Sequence, residues 1–284
     1  MFERIYVEIG NICNLDCSFC QKTTRKKRQM SEDEFAEVCR KLKGHTKFIY
    51  LHVMGEPLLH PSLDAMLKIA GSYALPVCIT TNGTLLFDRG DVILGNADAV
   101  HKVSISLHAP EGNGITCYDD YLKSACDFAK QASERGIYVV FRLWNGDSDE
   151  GLGKNSQNGY IESYLRTAFE GEWQKRVRGY RIAKNTFLEY DGVFTWPSGS
   201  KAEKKDEGYC HALSSQIAIL ADGTVVPCCL DSNGEIPLGN IFESDFADIM
   251  SYDRATAMKN GFKNGKMVES LCKKCTFARK FKIR

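Results

Sequence analysis

The sequence lacks several features that would assign it to whole classes of protein. It contains no internal repeat and no low-complexity tract, which excludes repeat architectures and fibrous chains. No apolar run approaches the roughly 20 residues that cross a bilayer, and no basic segment followed by an apolar stretch marks the N-terminus for export. The formal net charge is only +1, which argues against polyanion binding over the whole surface. We therefore expect a cytoplasmic protein without membrane contact.

Cysteine, by contrast, is abundant, at 12 of 284 residues. Without an export signal a disulfide framework is not expected, so metal binding or catalysis becomes the better interpretation. One group of cysteines lies near the N-terminus and a second group lies in the last third of the chain. The others are scattered, and Cys39, Cys78 and Cys126 are predicted to be small core residues.

Strand-like segments alternate with helix-like segments up to about residue 185. Strands are predicted at residues 4–9, 48–53, 76–80, 103–107, 137–143 and 180–183. Helices are predicted at 31–43, 62–72, 118–135 and 161–169, the first opened by a capping box of Ser31 and Glu34. This alternation predicts an α/β fold with parallel strands, closed as a barrel or open as a sheet.

The pattern changes after about residue 185, and residues 195–208 form a polar linker or surface loop. A hairpin turn is predicted at residues 221–223 and a single helix over 244–260. We therefore predict two domains, an α/β core over residues 1–190 and a small α+β domain over 191–284.

Cys13, Cys17 and Cys20 follow the first predicted strand with the spacing Cys-x3-Cys-x2-Cys. In parallel α/β folds the loops after strands lie at the catalytic end of the sheet. Three thiolates can hold three irons of a 4Fe–4S cluster and leave the fourth iron open to another ligand. The alternatives are a ferredoxin-like cluster and a structural zinc site, but no fourth ligand follows Cys20 as zinc requires.

This cysteine segment resembles the signature of the radical S-adenosylmethionine (SAM) superfamily, with an aromatic residue, Phe19, before the last cysteine. Residues 54–57 resemble that family's Gly-Gly-Glu-Pro segment, although Met54 replaces the first glycine, and residues 80–83 and 104–107 resemble its third and fourth strands. The resemblance implies a partial (β/α)6 barrel and a cluster that cleaves SAM. The implied SAM-binding residues are Phe19, Gly55, Glu56, Pro57, Asn82, Ser104, Ser106 and Arg142. Glu56 would bind the amino group of SAM and Arg142 its carboxylate.

The C-terminal group provides four candidate ligands to a second metal centre, Cys210, Cys228, Cys272 and Cys275. Four thiolates saturate a 4Fe–4S cluster, but on spacing alone a zinc ribbon fits almost as well. The arrangement resembles the twitch domain, a shortened SPASM domain with one auxiliary cluster. We therefore expect two 4Fe–4S clusters and SAM as cofactors, with Cys229 as a non-ligand.

The resemblance also implies the reaction, in which a 5′-deoxyadenosyl radical removes hydrogen from a carbon atom. The four-cysteine layout is similar to that of 2-deoxy-scyllo-inosamine dehydrogenases, which oxidise a carbinol. That class implies a small-molecule substrate, an auxiliary cluster that accepts an electron, and a flavodoxin or ferredoxin-type reductant. The candidate general bases are Asp231 and His108, although Asp231 begins a strong turn sequence.

Several interpretations stay open beside this one. The chain could modify a peptide, or it could modify RNA through the basic run at residues 22–28, which is otherwise a solvated loop. It could also be a non-catalytic metal-binding scaffold. Glu8 could face the substrate or pair with a basic residue, Cys117 could donate a hydrogen atom, and Trp144 could line the cavity. The oligomeric state does not follow from the sequence.

Overall fold

A computed structural model describes residues 1–110, 113, 118–146, 156–199 and 202–280 of the chain. Cys117 lies outside the described residues. Within them, eleven strands form one sheet: β1 Arg4–Val7, β2 Ile49–Tyr50, β3 Val77–Thr81, β4 Val100–Ser106, β5 Tyr138–Gly146, β6 Gln174–Arg176, β7 Gly179–Ala183, β8 Thr186–Gly192, β9 Gln216–Ile219, β10 Thr224–Val226 and β11 Gly239–Asn240.

The strand order is β11-β10-β9-β1-β2-β3-β4-β5-β8-β7-β6. Neighbouring strands from β9 through β1 to β5 and β8 are parallel, and the strands outside them pair antiparallel. The predicted α/β class is therefore confirmed. One sheet runs through both predicted regions, because β9 pairs with β1, so the domain boundary near residue 190 stays a prediction.

Eight α-helices are present in the described part of the chain: α1 Glu32–Leu42, α2 Leu63–Ser72, α3 Leu86–Leu94, α4 Tyr118–Glu134, α5 Asn158–Ala168, α6 Phe246–Ser251, α7 Asp253–Lys263 and α8 Ser270–Lys274. The predicted capping box is confirmed at α1, where Ser31 Oγ accepts from the Glu34 amide and Glu34 accepts from the Ser31 amide. None of the helices described is both long and apolar enough to cross a membrane.

The two faces of the sheet bury different side chains. Alternate residues such as Ile5, Ile49, Val77 and Val103 join the main apolar core with the helices. The residues between them form a small separate cluster that includes Tyr6, Tyr50, Ala218 and Leu220.

The face that carries Tyr6 is concave. β1 and β5 are separated by three strands, which in a flat sheet would place them ~19 Å apart. Arg142 of β5 nevertheless interacts electrostatically with Tyr6 of β1, so the strands curve toward each other. We call this surface the concave face.

Three sequence predictions of secondary structure are wrong in detail. The sixth parallel strand is β8, because residues 179–183 pair antiparallel with β8 and lie outside the parallel set. The predicted single helix over 244–260 divides at Tyr252, whose extended backbone (φ −60°, ψ 151°) ends α6 and precedes α7. Helix α3 was not predicted, and its Gly90 packs against the ring of Phe128, where a larger residue would be crowded.

Candidate active site

The N-terminal cysteine loop leaves β1 and lies next to two side-chain amides. Asn113 Nδ2 is 3.3 Å from Cys17 Sγ, and Asn82 Nδ2 is 3.9 Å from Cys13 Sγ. The loop is tightened by a backbone hydrogen bond from the Cys20 amide to the Cys17 carbonyl (3.1 Å). Burial raises the pKa of the Cys13 and Cys17 thiols, whereas iron coordination would hold such groups as thiolates.

A glycine allows the next segment to approach this loop closely. Gly55 has φ +83°, and a Cβ atom there would lie 2.4 Å from the carbonyl oxygen of Gly10. The following amide, of Glu56, donates to the Ile12 carbonyl at 2.9 Å. The segment of Gly55, Glu56 and Pro57 is thus fixed against the cysteine loop, as the family resemblance requires.

The Glu56 carboxylate is buried between the segments that follow β2 and β3. Its oxygens accept hydrogen bonds from the amides of Leu58 (3.0 Å) and Asn82 (2.8 Å). Burial raises its pKa, although these hydrogen bonds oppose the shift. The Thr81 side chain donates a third hydrogen bond. A carboxylate can accept about four hydrogen bonds, so Glu56 retains the capacity to accept one from an ammonium group.

The concave face presents two buried polar atoms without hydrogen-bond partners at the predicted SAM-binding positions. These are Ser104 Oγ, in a residue only 1% exposed, and Arg142 Nε. The Arg142 guanidinium is 4.1 Å from the Trp144 ring centroid, and its Nη1 is 3.4 Å from Thr80 Oγ1. Ser106, opposite Arg142 on β4, is half-buried and lies on the same face. Buried orphan donors indicate that a polar ligand belongs there.

The two predicted bases lie in different places. His108 is buried with its ring 5.0 Å from that of Phe19, and its Nδ1 lies 3.1 Å from the Arg142 carbonyl oxygen. Asp231 lies instead beside the C-terminal cysteines. Its carboxylate accepts from the amides of Glu235 (2.8 Å) and Ile236 (2.9 Å), so its oxygens close the turn that the sequence indicated.

The four predicted C-terminal ligands line one cavity, Cys210, Cys228, Cys272 and Cys275. They come from the loop before β9, the loop after β10 and helix α8 with its end. Burial raises the pKa of Cys210 to about 11 and raises that of Cys272 further. Cys229 lies on the other side of its chain segment and contacts the concave-face cluster with Tyr6.

Among the residues that the structure describes, no three His, Cys, Asp or Glu side chains are placed to hold a single metal ion. The choice between zinc and an iron–sulfur cluster therefore depends on the family to which the chain belongs.

Comparison with known proteins decides the family. The profile of the Radical SAM superfamily matches residues 7–148, which is half of the chain. The chain belongs to the radical SAM superfamily. The profile of the SPASM iron–sulfur cluster-binding domain matches residues 210–276, a range that holds all four C-terminal cysteines. A radical SAM domain carries a 4Fe–4S cluster with SAM, and the SPASM domain carries auxiliary iron–sulfur, so the predicted cofactors are confirmed.

Two curated relatives resemble this radical SAM protein over most of its length. It is 24% identical to the S-adenosyl-L-methionine-dependent 2-deoxy-scyllo-inosamine dehydrogenase of Niallia circulans, covering 97% of this chain and 93% of that one. It is also 24% identical to the sporulation killing factor maturation protein SkfB of Bacillus subtilis (strain 168), covering 92% and 68%. With the family, the dehydrogenase relative supports an oxidoreductase.

Solved structures show the same fold. BtrN in complex with AdoMet and 2-DOIA superimposes with a TM-score of 0.56 at 19% identity, covering 97% of this radical SAM protein and 93% of BtrN. Streptococcus suis SuiB bound to precursor peptide SuiA gives a TM-score of 0.62 at 15% identity, covering 97% and 71%. The expected partial-barrel fold is confirmed.

The basic run at residues 22–28 has internal partners that were not predicted. Arg25 donates to both carboxylate oxygens of Glu8 (2.6 and 2.7 Å), and Glu8 is fully buried. Arg28 pairs with Glu34 and donates to the Ala221 carbonyl. The interpretation of this run as a solvated loop is therefore wrong for Arg25, and Glu8 takes the ion-pair role rather than facing substrate.

Further polar or aromatic side chains of the concave face were not predicted, namely Tyr6, Tyr50, His52, Lys102 and Glu189. The sequence carries a signal for some of them. In β1, and in β4 from Lys102 to Ser106, polar or aromatic residues alternate with aliphatic residues. In a sheet with helices on one side, that alternation marks the opposite face as a polar chamber.

Proposed function

We propose that this chain oxidises a small-molecule carbinol to a carbonyl by hydrogen-atom abstraction, with an auxiliary cluster as electron acceptor. The observation that carries the proposal is the arrangement of two neighbouring thiols. Cys228 lines the cavity of the C-terminal cysteines, whereas Cys229 contacts the concave face. The auxiliary metal site therefore adjoins the surface on which a substrate would lie.

The residues that fit SAM lie where the concave face meets the cysteine loop. Cys13, Cys17 and Cys20 would hold a cluster with one iron open to SAM. The reduced cluster and SAM together would supply a 5′-deoxyadenosyl radical. Glu56 would accept from the SAM ammonium group and Arg142 would bind its carboxylate. Further contacts would come from Phe19, Gly55, Pro57, Asn82, Ser104 and Ser106.

Carbinol oxidation removes one hydrogen atom, one proton and one electron from the substrate. The hydrogen atom goes to the deoxyadenosyl radical. We propose His108 as the group that takes the proton, because its ring lies beside Phe19, whereas Asp231 uses its carboxylate to close a turn. Cys210, Cys228, Cys272 and Cys275 would hold the centre that accepts the electron. A one-electron carrier of the flavodoxin or ferredoxin type would take that electron from the second centre and supply one to the N-terminal cluster, so that each turnover consumes no net electron.

A peptide substrate is the second candidate. The SkfB relative is a maturation protein and the SuiB structure holds a precursor peptide, but this chain spans 68% and 71% of their lengths. The dehydrogenase relative is matched over 93% of its length. That fuller correspondence favours the small molecule.

The test uses anaerobically reconstituted protein with SAM, dithionite and a panel of small cyclic carbinols that differ in charge. We expect 5′-deoxyadenosine and one equivalent of ketone, with deuterium from the labelled carbinol carbon appearing in the deoxyadenosine. Absence of deoxyadenosine in every condition contradicts radical SAM catalysis. Deoxyadenosine without ketone from any carbinol tested, but with turnover of a peptide, replaces the first candidate with the second.

A further inference from the structure

The concave face carries cations that have no carboxylate partner. Lys102 and Arg142 both point to it, and Glu8, the acid on the same face of β1, is already neutralised by Arg25. Among the described residues no ion pair involves Lys102 or Arg142. Glu189 interacts with both electrostatically, but from beyond ion-pair distance. A half-buried cation without a partner costs free energy that an anionic ligand would recover.

Arg142 accounts for one such anion, since the proposed function assigns it the SAM carboxylate. Lys102 has no assigned anion. It lies on the same face of β4 as Ser106, four residues earlier, and Ser106 pairs with Arg142. Its Nζ lies 3.3 Å from the Tyr50 hydroxyl and 5.3 Å from the centre of the Tyr50 ring. A lysine held over an aromatic ring is placed by packing, and its remaining N–H donors are available to a ligand.

Neutral groups complete the surroundings of Lys102. His52 has its ring 5.9 Å from that of Tyr50 and 5.3 Å from that of Tyr6, and its buried Nδ1 has no hydrogen-bond partner. Burial, together with the charges of Arg142 and Lys102, lowers the pKa of His52 to about 3, so the imidazole is neutral at pH 7. The orphaned Nδ1 of His52 near an unpaired lysine indicates one polar ligand that contacts both side chains.

We propose that the concave face binds an anionic group of the substrate, a carboxylate or a phosphate, at Lys102 with Tyr50 and His52. This inference rests on the proposed function in taking the concave face as the substrate chamber, and it names the substrate class. A substrate whose only charge is an ammonium group would be repelled by Lys102 and Arg142. The aromatic rings of Tyr6 and Tyr50 would pack against the body of the substrate.

The experiment compares three ring compounds that differ in charge. Radiolabelled benzoate, phenyl phosphate and benzylammonium are equilibrated by dialysis with anaerobically reconstituted, SAM-loaded protein at low ionic strength. We expect benzoate or phenyl phosphate to bind at least about tenfold more tightly than benzylammonium, because a charge-assisted hydrogen bond contributes that much. The ratio of the two anions distinguishes a carboxylate site from a phosphate site.

Variants locate the effect. Lys102→Gln should abolish the preference for anions and Lys102→Arg should restore it, whereas Lys123→Gln, on the exposed side of α4 beside Asp127, should leave it intact. Equal binding of all three compounds to the wild-type protein overturns the inference, as does a preference that survives Lys102→Gln. Deoxyadenosine release is measured on the same wild-type preparation. Release without a charge preference refutes the inference alone, and a preference without release refutes the proposed function alone.

Discussion

The two cysteine groups are built in opposite ways. Cys13, Cys17 and Cys20 occupy one eight-residue loop after β1, and two of their sulfurs are approached by the side-chain amides of Asn82 and Asn113. The C-terminal four are gathered from three separate segments, and they pack against the main apolar core. A local loop would leave one side of a bound cluster open, whereas a set drawn from distant segments would enclose one. The difference suits a catalytic centre in the first case and an electron-accepting centre in the second.

The largest expected effect comes from removing the open centre. Replacing Cys13, Cys17 and Cys20 together with alanine should abolish deoxyadenosine release from SAM, because no other ligands of that loop remain. The reconstituted variant should keep about four of the wild type's approximately eight irons. Iron analysis measures the metal content, and chromatography of the reaction mixture measures the deoxyadenosine released. Cys39→Ala, a change inside the core on α1, serves as the control and should retain iron and activity.

Removing the enclosed centre should separate the two activities. Cys272→Ala with Cys275→Ala should lose about four irons and all substrate oxidation, yet still release deoxyadenosine without coupling, since the N-terminal loop is unchanged. Loss of an enclosed centre can also unfold the segments that it joins, so circular dichroism accompanies the assay. A folded double variant that oxidises substrate normally would show that the second centre is only structural.

The close approach of the Gly55 segment to the cysteine loop should be sensitive to a single methyl group. Gly55→Ala adds a Cβ that would lie 2.4 Å from the Gly10 carbonyl, so the loop must move. Gly44→Ala is a matched control, because Gly44 also has positive φ (+80°) but open space around its Cβ position. Both substitutions should lower the free energy of unfolding by ~1–2 kcal/mol, because alanine is strained in the left-handed conformation. Only Gly55→Ala should lower the free energy of unfolding further, as measured in urea, and also lower the iron content of the N-terminal centre.

The smallest expected effect is that of Cys229→Ala, for which Cys228→Ala is the matched comparison. Cys229→Ala should keep about eight irons, whereas Cys228→Ala should lose about four, because only Cys228 lines the cavity with the other three thiols. Iron and sulfide analysis of the two reconstituted variants decides the question. The reverse pattern would mean that the enclosed centre uses Cys229 and that our ligand set is wrong.

Much of the fold and of the metal-binding pattern could be predicted from the sequence because the signals are local. Strand and helix alternation, the capping box at Ser31 and the cysteine spacings each involve residues close along the chain. Predictions failed where distant residues decide the outcome. The sixth parallel strand is β8 because it pairs with β5 across the sheet. Arg25 forms an ion pair with Glu8 because the folded loop brings the two side chains together.

The family could be assigned before the fold was known, because the cysteine spacing and the segments that resemble the radical SAM superfamily are short stretches of the sequence. Tertiary structure alone decided what surrounds that chemistry. Tyr50, His52, Lys102 and Arg142 come from three strands far apart in the sequence, and they meet only because the sheet curves. The charges of Lys102 and Arg142 are unpaired because the nearby acid Glu8 is already paired with Arg25. That pairing is a property of the folded surface rather than of composition.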